Sequence, residues 1–136
     1  MLADGDNAAD VAILTYGFLV REAEAARVRL EELGISVRLV NLRTLAPVDE
    51  EAIVESLRCA RLTVTVEDHF GTGGLASIVA EVLLRHRVTG RVYPIHLGGR
   101  WFKPALLSTV LDQEGFSGPR LAARILSQFR EIRNHD

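Results

Sequence analysis

Hydrophobic residues in the first third of the chain follow two alternating patterns, a short continuous run and a longer helical repeat. Residues 11–15 form a continuous apolar run, which is typical of a strand covered on both faces of a sheet. From residue 18 to residue 33 the apolar positions step by three and four, as on one face of a helix; they are Leu19, Ala23, Ala26, Leu30 and Leu33. Gly34 follows, where a helix end favours a left-handed residue. Residues 35–42 then predict a second strand.

The remaining two thirds of the chain repeat this alternation of strand and helix. The further predicted elements are a helix after residue 49, a strand over 62–66, a helix to about residue 86, a strand over 91–97, a short helix over 104–111 and a last helix that begins at Ser117 or Gly118. Asp49 predicts the N-cap of the second helix, whose apolar stripe is Ile53, Leu57 and Ala60. Pro94 predicts an edge position or an irregular course for the fourth strand, because proline cannot donate a ladder hydrogen bond.

Alternating strands and helices with short connections predict right-handed crossovers and a mainly parallel sheet with helices on both faces. The predicted fold class is therefore α/β, a Rossmann-like three-layer αβα sandwich with about four or five strands. A chain of 136 residues is long enough for one domain with its own core. We assign residues 10–136 to that domain and residues 1–9 to a flexible N-terminal tail.

Composition and charge exclude several classes of function. The formal net charge is -2 and the basic residues are scattered among acids, so no nucleic-acid partner is predicted. No apolar run reaches the ~20 residues that cross a bilayer, and the polar, acidic start is unlike a secretory signal. Cys59 is the single cysteine, which excludes an internal disulfide, and we expect it to lie in the core. These features predict a cytoplasmic protein without a membrane partner.

The glycine-rich loop after the third strand is the first candidate site. Gly71, Gly73 and Gly74 precede the third helix, so backbone amides there could approach an anion at the helix N-terminus. The loop lacks the Gly-Lys-Ser/Thr of a P-loop and the spacing of a dinucleotide-binding turn. The same glycines could instead serve only a sharp turn with close packing of helix on strand. The sequence leaves both interpretations open.

Three further side chains are predicted to share that edge of the sheet. His69 follows the third strand, Arg43 follows the second and Tyr16 follows the first. In a parallel sheet these positions meet at the carboxyl ends of the strands, where ligands bind. His69 could move protons near neutral pH, but no nucleophile accompanies it, so we predict a structural or interface role and no catalytic residue. Arg43 suits a carboxylate or a phosphate, although an ion pair with Asp49 or Glu67 is the simpler explanation.

Trp101 and Phe102 lie in a loop after the fourth strand that begins with two glycines. Tryptophan is a common interface anchor, so the pair is a candidate contact patch; packing back on the core is an equal alternative. The four histidines are His69, His86, His96 and His135. None of them shows the i, i+4 spacing of a helical metal site, so no metal site is predicted in this chain.

Two segments together resemble the C-terminal domain of the transketolase family. They are residues 41–53 (NLRTLAPVDEEAI) and residues 64–69 (VTVEDH), the latter followed by Gly73-Gly74-Leu75. Residues 10–17 and 114–118 fit the same pattern, so the resemblance covers about residues 10 to 130. The family includes transketolases, 1-deoxyxylulose-5-phosphate synthases and the β subunits of 2-oxo acid dehydrogenases.

The resemblance implies a domain that normally comes third in a longer enzyme. Relatives bind thiamine diphosphate and a divalent metal in two preceding domains, at a dimer interface. No Gly-Asp-Gly diphosphate motif in a strand–helix setting occurs in this sequence. The resemblance therefore implies no cofactor and no catalytic residue in this chain. Both would come from the catalytic domains or subunits of a homodimer or hetero-oligomer.

The first hypothesis is a non-catalytic module of a thiamine-diphosphate-dependent transketolase-like enzyme, which serves subunit assembly and effector binding. Its working surface would be the sheet edge with Tyr16, Arg43, His69 and the glycine loop, together with the loop that holds Trp101 and Phe102. The alternative is a freestanding small α/β protein that binds an anionic metabolite or a nucleotide through residues 71–74.

Overall fold

The computed structural model describes residues 8–44, 47–67, 74–96 and 112–135. Within these ranges the elements are β1 (Ala9–Thr15), α1 (Leu19–Glu32), β2 (Val37–Asn41), α2 (Glu50–Cys59), β3 (Ala60–Val66), α3 (Leu75–His86), β4 (Val92–Ile95) and α4 (Gly118–His135). This order confirms the predicted alternation of strand and helix. The short helix predicted over 104–111 lies outside the described residues.

The four strands form one parallel sheet in the order β2-β1-β3-β4. Val11 of β1 pairs with Val37 of β2 on one side and with Leu62 of β3 on the other. β4 pairs with β3 and places Pro94 opposite Thr65. Within the described residues β2 and β4 are the edge strands, which confirms the edge position predicted from Pro94.

Helices cover both faces of the sheet and divide the core into two clusters. α1 and α4 pack on one face, where Ile13 and Ile125 are fully buried. α2 and α3 pack on the other face, where Leu14 and Ile53 are fully buried. Ile13 and Leu14 belong to different clusters because successive side chains of a strand point to opposite faces. The arrangement confirms the predicted α/β fold with three layers.

α1 ends in a glycine turn, as its sequence predicts. Gly34 has φ +84°, and its amide donates to the carbonyl of Glu31 at 3.0 Å, while the Ile35 amide donates to the carbonyl of Leu30 at 3.1 Å. This pair of bonds is the Schellman motif. Leu33 is 57% exposed, so the prediction that it belongs to the buried stripe is wrong. It follows the last residue of α1, where the helical repeat no longer sets the direction of the side chain.

α2 begins at its predicted cap but ends earlier than its apolar pattern suggests. The Asp49 carboxylate accepts a hydrogen bond from the Ala52 amide at 3.1 Å, which confirms the predicted N-cap. Ala60 is buried as the first residue of β3 and is not part of the helix. Cys59 is the last residue of α2 and is partly exposed. The prediction that Cys59 lies in the core is therefore wrong, because the chain leaves the helical repeat at that point.

α4 begins where it closely approaches α1. The Gly118 amide donates to the carboxylate of Glu22 at 2.7 Å, so a side chain of another helix satisfies an amide at its N-terminus. A Cβ at Gly118 would lie 2.6 Å from the Cβ of Ala25, closer than two such atoms can pack. The predicted start of the last helix is confirmed.

Candidate functional site

The carboxyl ends of the four strands form one edge of the sheet. Thr15 pairs with Asn41 and with Val66, and Val66 pairs with Ile95. The segments that follow the four strands therefore emerge side by side, at the edge where parallel sheets bind their ligands. We call this surface the strand-end rim and define it by its described residues, which are 16–18, 42–44, 67, 74 and 96.

The site residues predicted from the sequence fall into two groups. Tyr16, Arg43 and Gly74 belong to the strand-end rim. The others lie outside the described residues; they are His69, Gly71, Gly73, Trp101 and Phe102. Their proposed roles stay predictions.

Tyr16 and Arg43 follow neighbouring strands on the rim. The Leu42 amide donates to the carbonyl of Thr15 at 2.8 Å, which holds together the segments that follow β1 and β2. Tyr16 is partly buried and Arg43 is exposed. Within the described part of the chain, Arg43 makes neither of the two ion pairs considered from the sequence. Arg43 is thus an exposed cation of the strand-end rim.

Glu67 is a buried carboxylate at the end of β3, with 1% of its surface exposed. Its Oε2 accepts a hydrogen bond from the Leu75 amide at 2.6 Å, and its Oε1 accepts one from the Ala76 amide at 3.3 Å. The Tyr16 hydroxyl donates a longer bond of 3.5 Å to Oε2. Glu67 thus supplies the negative charge that the unpaired amides and the dipole of the first turn of α3 favour.

Gly74 allows this close approach of Glu67 to α3. Its backbone is extended, with φ −95° and ψ −156°, so glycine is not required here for a left-handed conformation. A Cβ at this position would lie 2.7 Å from Oε1 and 2.8 Å from Cδ of Glu67, and closer still to Oε2. Gly74 therefore allows the start of α3 to pack closely against the end of β3.

A second group of charged side chains joins α2 to α3 outside the strand-end rim. Glu50 forms an ion pair with Arg85, and its carboxylate lies 3.3 Å from Nε2 of His86. The hydrogen bond with His86 and the charge of Arg85 lower the pKa of the Glu50 carboxyl from its ordinary value. A shallow groove lined by residues 47–51 and Arg85 lies beside this group. Because these side chains are between about a third and a little over half exposed, their ion pairs contribute little to stability.

No group of three or more His, Cys, Asp and Glu side chains in residues 8–44, 47–67, 74–96 and 112–135 could hold a metal ion. None of the helices in the same ranges has both the length and the apolar character that crossing a bilayer requires.

A comparison with known families identifies the domain. Residues 4–118 match the family model of the transketolase C-terminal domain. This match spans the four strands and the first three helices that the structure describes. The chain belongs to this family. The resemblance of the segments around Arg43 and Glu67 to that domain is thereby confirmed.

Relatives of this transketolase C-terminal domain are longer proteins. A protein named as a transketolase C-terminal section, from Methanocaldococcus jannaschii, is 33% identical over 131 residues, which cover 96% of this chain and 40% of the relative. The 1-deoxy-D-xylulose-5-phosphate synthase of a Synechococcus species is 34% identical over 121 residues, which cover 89% of this chain and 19% of the relative. The chain therefore spans less than half of either relative.

Solved structures share the fold of this transketolase C-terminal domain. A split-gene transketolase described as an inactive β4 tetramer matches with a TM-score of 0.80 and 31% identity, over 90% of this chain and 40% of that chain. A transketolase of Pichia stipitis matches with a TM-score of 0.65 and 17% identity, over 96% of this chain and 18% of that chain. Because the Pichia stipitis transketolase is only 17% identical to this chain, its similarity shows a shared fold and nothing more.

The sequence did not predict the role of Glu67 in this domain, because Glu67 was considered only as a possible ion-pair partner of Arg43. A signal for the role was present. Gly74 occupies the N-cap position of α3 and offers no side-chain cap. A helix that begins without Ser, Thr, Asp or Asn needs another acceptor for its first amides. The acid at the end of the preceding strand is such an acceptor.

Phe18 is a second rim residue that the sequence did not single out. The hydrophobic repeat placed it at the beginning of α1, and it occupies the N-cap position of that helix. Its side chain is 51% exposed. Phe18 therefore adds an exposed aromatic ring to the strand-end rim of this transketolase C-terminal domain.

Proposed function

We propose that this transketolase C-terminal domain is a non-catalytic module of a transketolase-like enzyme, and that its strand-end rim docks onto the catalytic domains or subunits. In this proposal those partners bind thiamine diphosphate and a divalent metal, in a homodimer or a hetero-oligomer. The module contributes assembly, and the reacting groups come from its partners.

The observation that carries the proposal is the length of the relatives. The chain covers 40% of the split-gene transketolase to which it is 31% identical, so most of that protein lies outside the matched domain. That relative is described as a tetramer from a split gene. It is a precedent, within this family, for a protein that is divided between genes and assembles into an oligomer.

The composition of the rim supports docking there. Arg43 is exposed, Phe18 is half exposed and Tyr16 is partly buried. Arginine and aromatic side chains are the residues that most often anchor protein interfaces. The three side chains follow β1 and β2, which are held together by the bond between Leu42 and Thr15. A partner would therefore meet a preformed surface on two neighbouring strands.

Arg43→Ala is expected to weaken the association of the chain with the catalytic domains about tenfold. The substitution removes an exposed guanidinium from the proposed docking surface without altering the core. Sedimentation velocity of the chain mixed with the thiamine-diphosphate-binding domains of the same organism measures the dissociation constant. Arg58→Ala is the matched control, since Arg58 is exposed in the last turn of α2, outside the rim.

Two results would count against the proposal. An equal loss of affinity in Arg43→Ala and Arg58→Ala would show that the rim is not the docking surface. Binding of thiamine diphosphate by this chain on its own, measured by calorimetry, would contradict the assignment of the cofactor to the partner domains.

A further inference from the structure

We infer that the Glu67 carboxylate occupies the anion position of the strand-end rim, so that the chain's own side chain closes the N-terminus of α3 to external anions. Glu67 is then a positioning residue that ties the end of β3 to the start of α3. The inference deepens the proposed function and rests on it only for the role of the rim as a docking surface.

Both carboxylate oxygens of Glu67 are engaged by the first turn of α3. Oε2 accepts from the Leu75 amide at 2.6 Å and Oε1 accepts from the Ala76 amide at 3.3 Å. These are the groups that a phosphate or a carboxylate ligand binds at a helix N-terminus. An external anion could therefore bind there only after Glu67 had left.

Glu67 has little freedom to leave this position. Its side chain is 1% exposed, and Gly74 packs so closely against the carboxylate that no Cβ fits between them. The Tyr16 hydroxyl, from the segment after β1, lies 3.5 Å from Oε2. A carboxylate displaced from the amides would be a buried charge without its partners, which is strongly unfavourable.

The contact also determines which chemistry a partner can use on the rim. Phosphate recognition by the amides of Leu75 and Ala76 is excluded while Glu67 is bound to them. A partner must then recognise the exposed side chains of the rim, of which Arg43 is the described cation. The rim therefore selects a protein surface with carboxylates for Arg43 and apolar area for Phe18.

Chemical rescue by a small carboxylate tests this inference on the chain without a partner. Glu67→Ala is expected to lower Tm by about 10 °C, because the first amides of α3 lose their acceptor. Formate should restore at least half of that loss, relative to chloride at equal ionic strength, because it fills the vacated position. Val79→Ala is the control. It too removes buried atoms, in this case from α3, but it frees no amide, so formate and chloride should act on it alike.

Amide NMR signals give a second measurement and cover the case in which Glu67→Ala does not fold. Inorganic phosphate should leave the Leu75 and Ala76 signals of the unaltered chain unchanged. Glu67→Gln keeps the volume of the side chain but removes the charge, so the Leu75 amide proton should move upfield.

Three results would overturn the inference. They are saturable shifts of the Leu75 and Ala76 signals with phosphate in the unaltered chain, a Glu67→Ala variant whose Tm responds equally to formate and chloride, and an unchanged Leu75 proton in Glu67→Gln. Because all three are read from the chain without a partner, they are independent of whether Arg43→Ala weakens assembly.

Discussion

Replacing Gly74 by alanine is expected to lower the free energy of unfolding by about 2–4 kcal/mol, measured by urea denaturation. The added Cβ would lie 2.7 Å from Oε1 and 2.8 Å from Cδ of Glu67, so the carboxylate has to move off the amides of α3. Because Glu67 is buried, the displaced charge and the freed amides both lose their partners. Backbone strain makes no contribution, since alanine readily adopts the φ of −95° at this position.

A double-mutant cycle identifies the cause of this loss. In a Glu67→Ala background the carboxylate is gone and the new Cβ has room, so Gly74→Ala should cost less than about 1 kcal/mol. The two substitutions would then be strongly non-additive. If Gly74→Ala cost the same in both backgrounds, the contact between Gly74 and Glu67 would not explain its effect.

Phe116→Ala is expected to lower the free energy of unfolding by about 3–5 kcal/mol. Phe116 is fully buried in the cluster between the sheet and the helices α1 and α4, so truncation leaves a cavity and removes many contacts. Urea denaturation of the variant and the unaltered chain measures the change, and equal m-values for the two show that the loss is one of stability.

Phe18→Ala is the matched control for Phe116→Ala. It makes the same truncation at a phenylalanine that is 51% exposed. It should cost less than about 1 kcal/mol. A similar loss of stability in the two variants would contradict the described difference in burial between these rings.

The fold was largely predictable because its strands and helices carry local patterns. The continuous apolar run at 11–15 corresponds to the buried part of β1, and the repeat after residue 18 corresponds to α1. Gly34 and Asp49 act through bonds to residues only a few positions away, so their roles as helix end and helix cap could be predicted from their neighbours. Parallel order then followed from the alternation itself.

The errors at single residues arise where an apolar pattern continues past the end of an element. Leu33 keeps the spacing of α1 and Ala60 that of α2, but both follow the last residue of their helix, and Cys59 is the last residue of α2. Helix ends depend on hydrogen bonds of the following turn as well as on the hydrophobic repeat. Burial at such positions could therefore not be predicted from periodicity.

The candidate site was predictable as a location but not as a set of contacts. Tyr16 and Arg43 were expected at one edge because the carboxyl ends of parallel strands meet there. The bonds of Glu67 to Leu75 and Ala76 join residues that are 8 and 9 positions apart and belong to different elements, so neither helical spacing nor residue type specified them. The ion pair expected for Arg43 was a choice between two acids, Asp49 and Glu67, and within the described part of the chain neither of them pairs with it.

Hydrogen exchange of the chain, free and in complex with the thiamine-diphosphate-binding domains, tests most directly whether the strand-end rim is the docking surface. If the rim is the docking surface, amides of residues 16–18 and 42–44 gain protection in the complex. Amides of residues 58–61, around the start of β3, should exchange at the same rate in both states. Protection confined to residues 58–61, with an unchanged rim, would contradict the account.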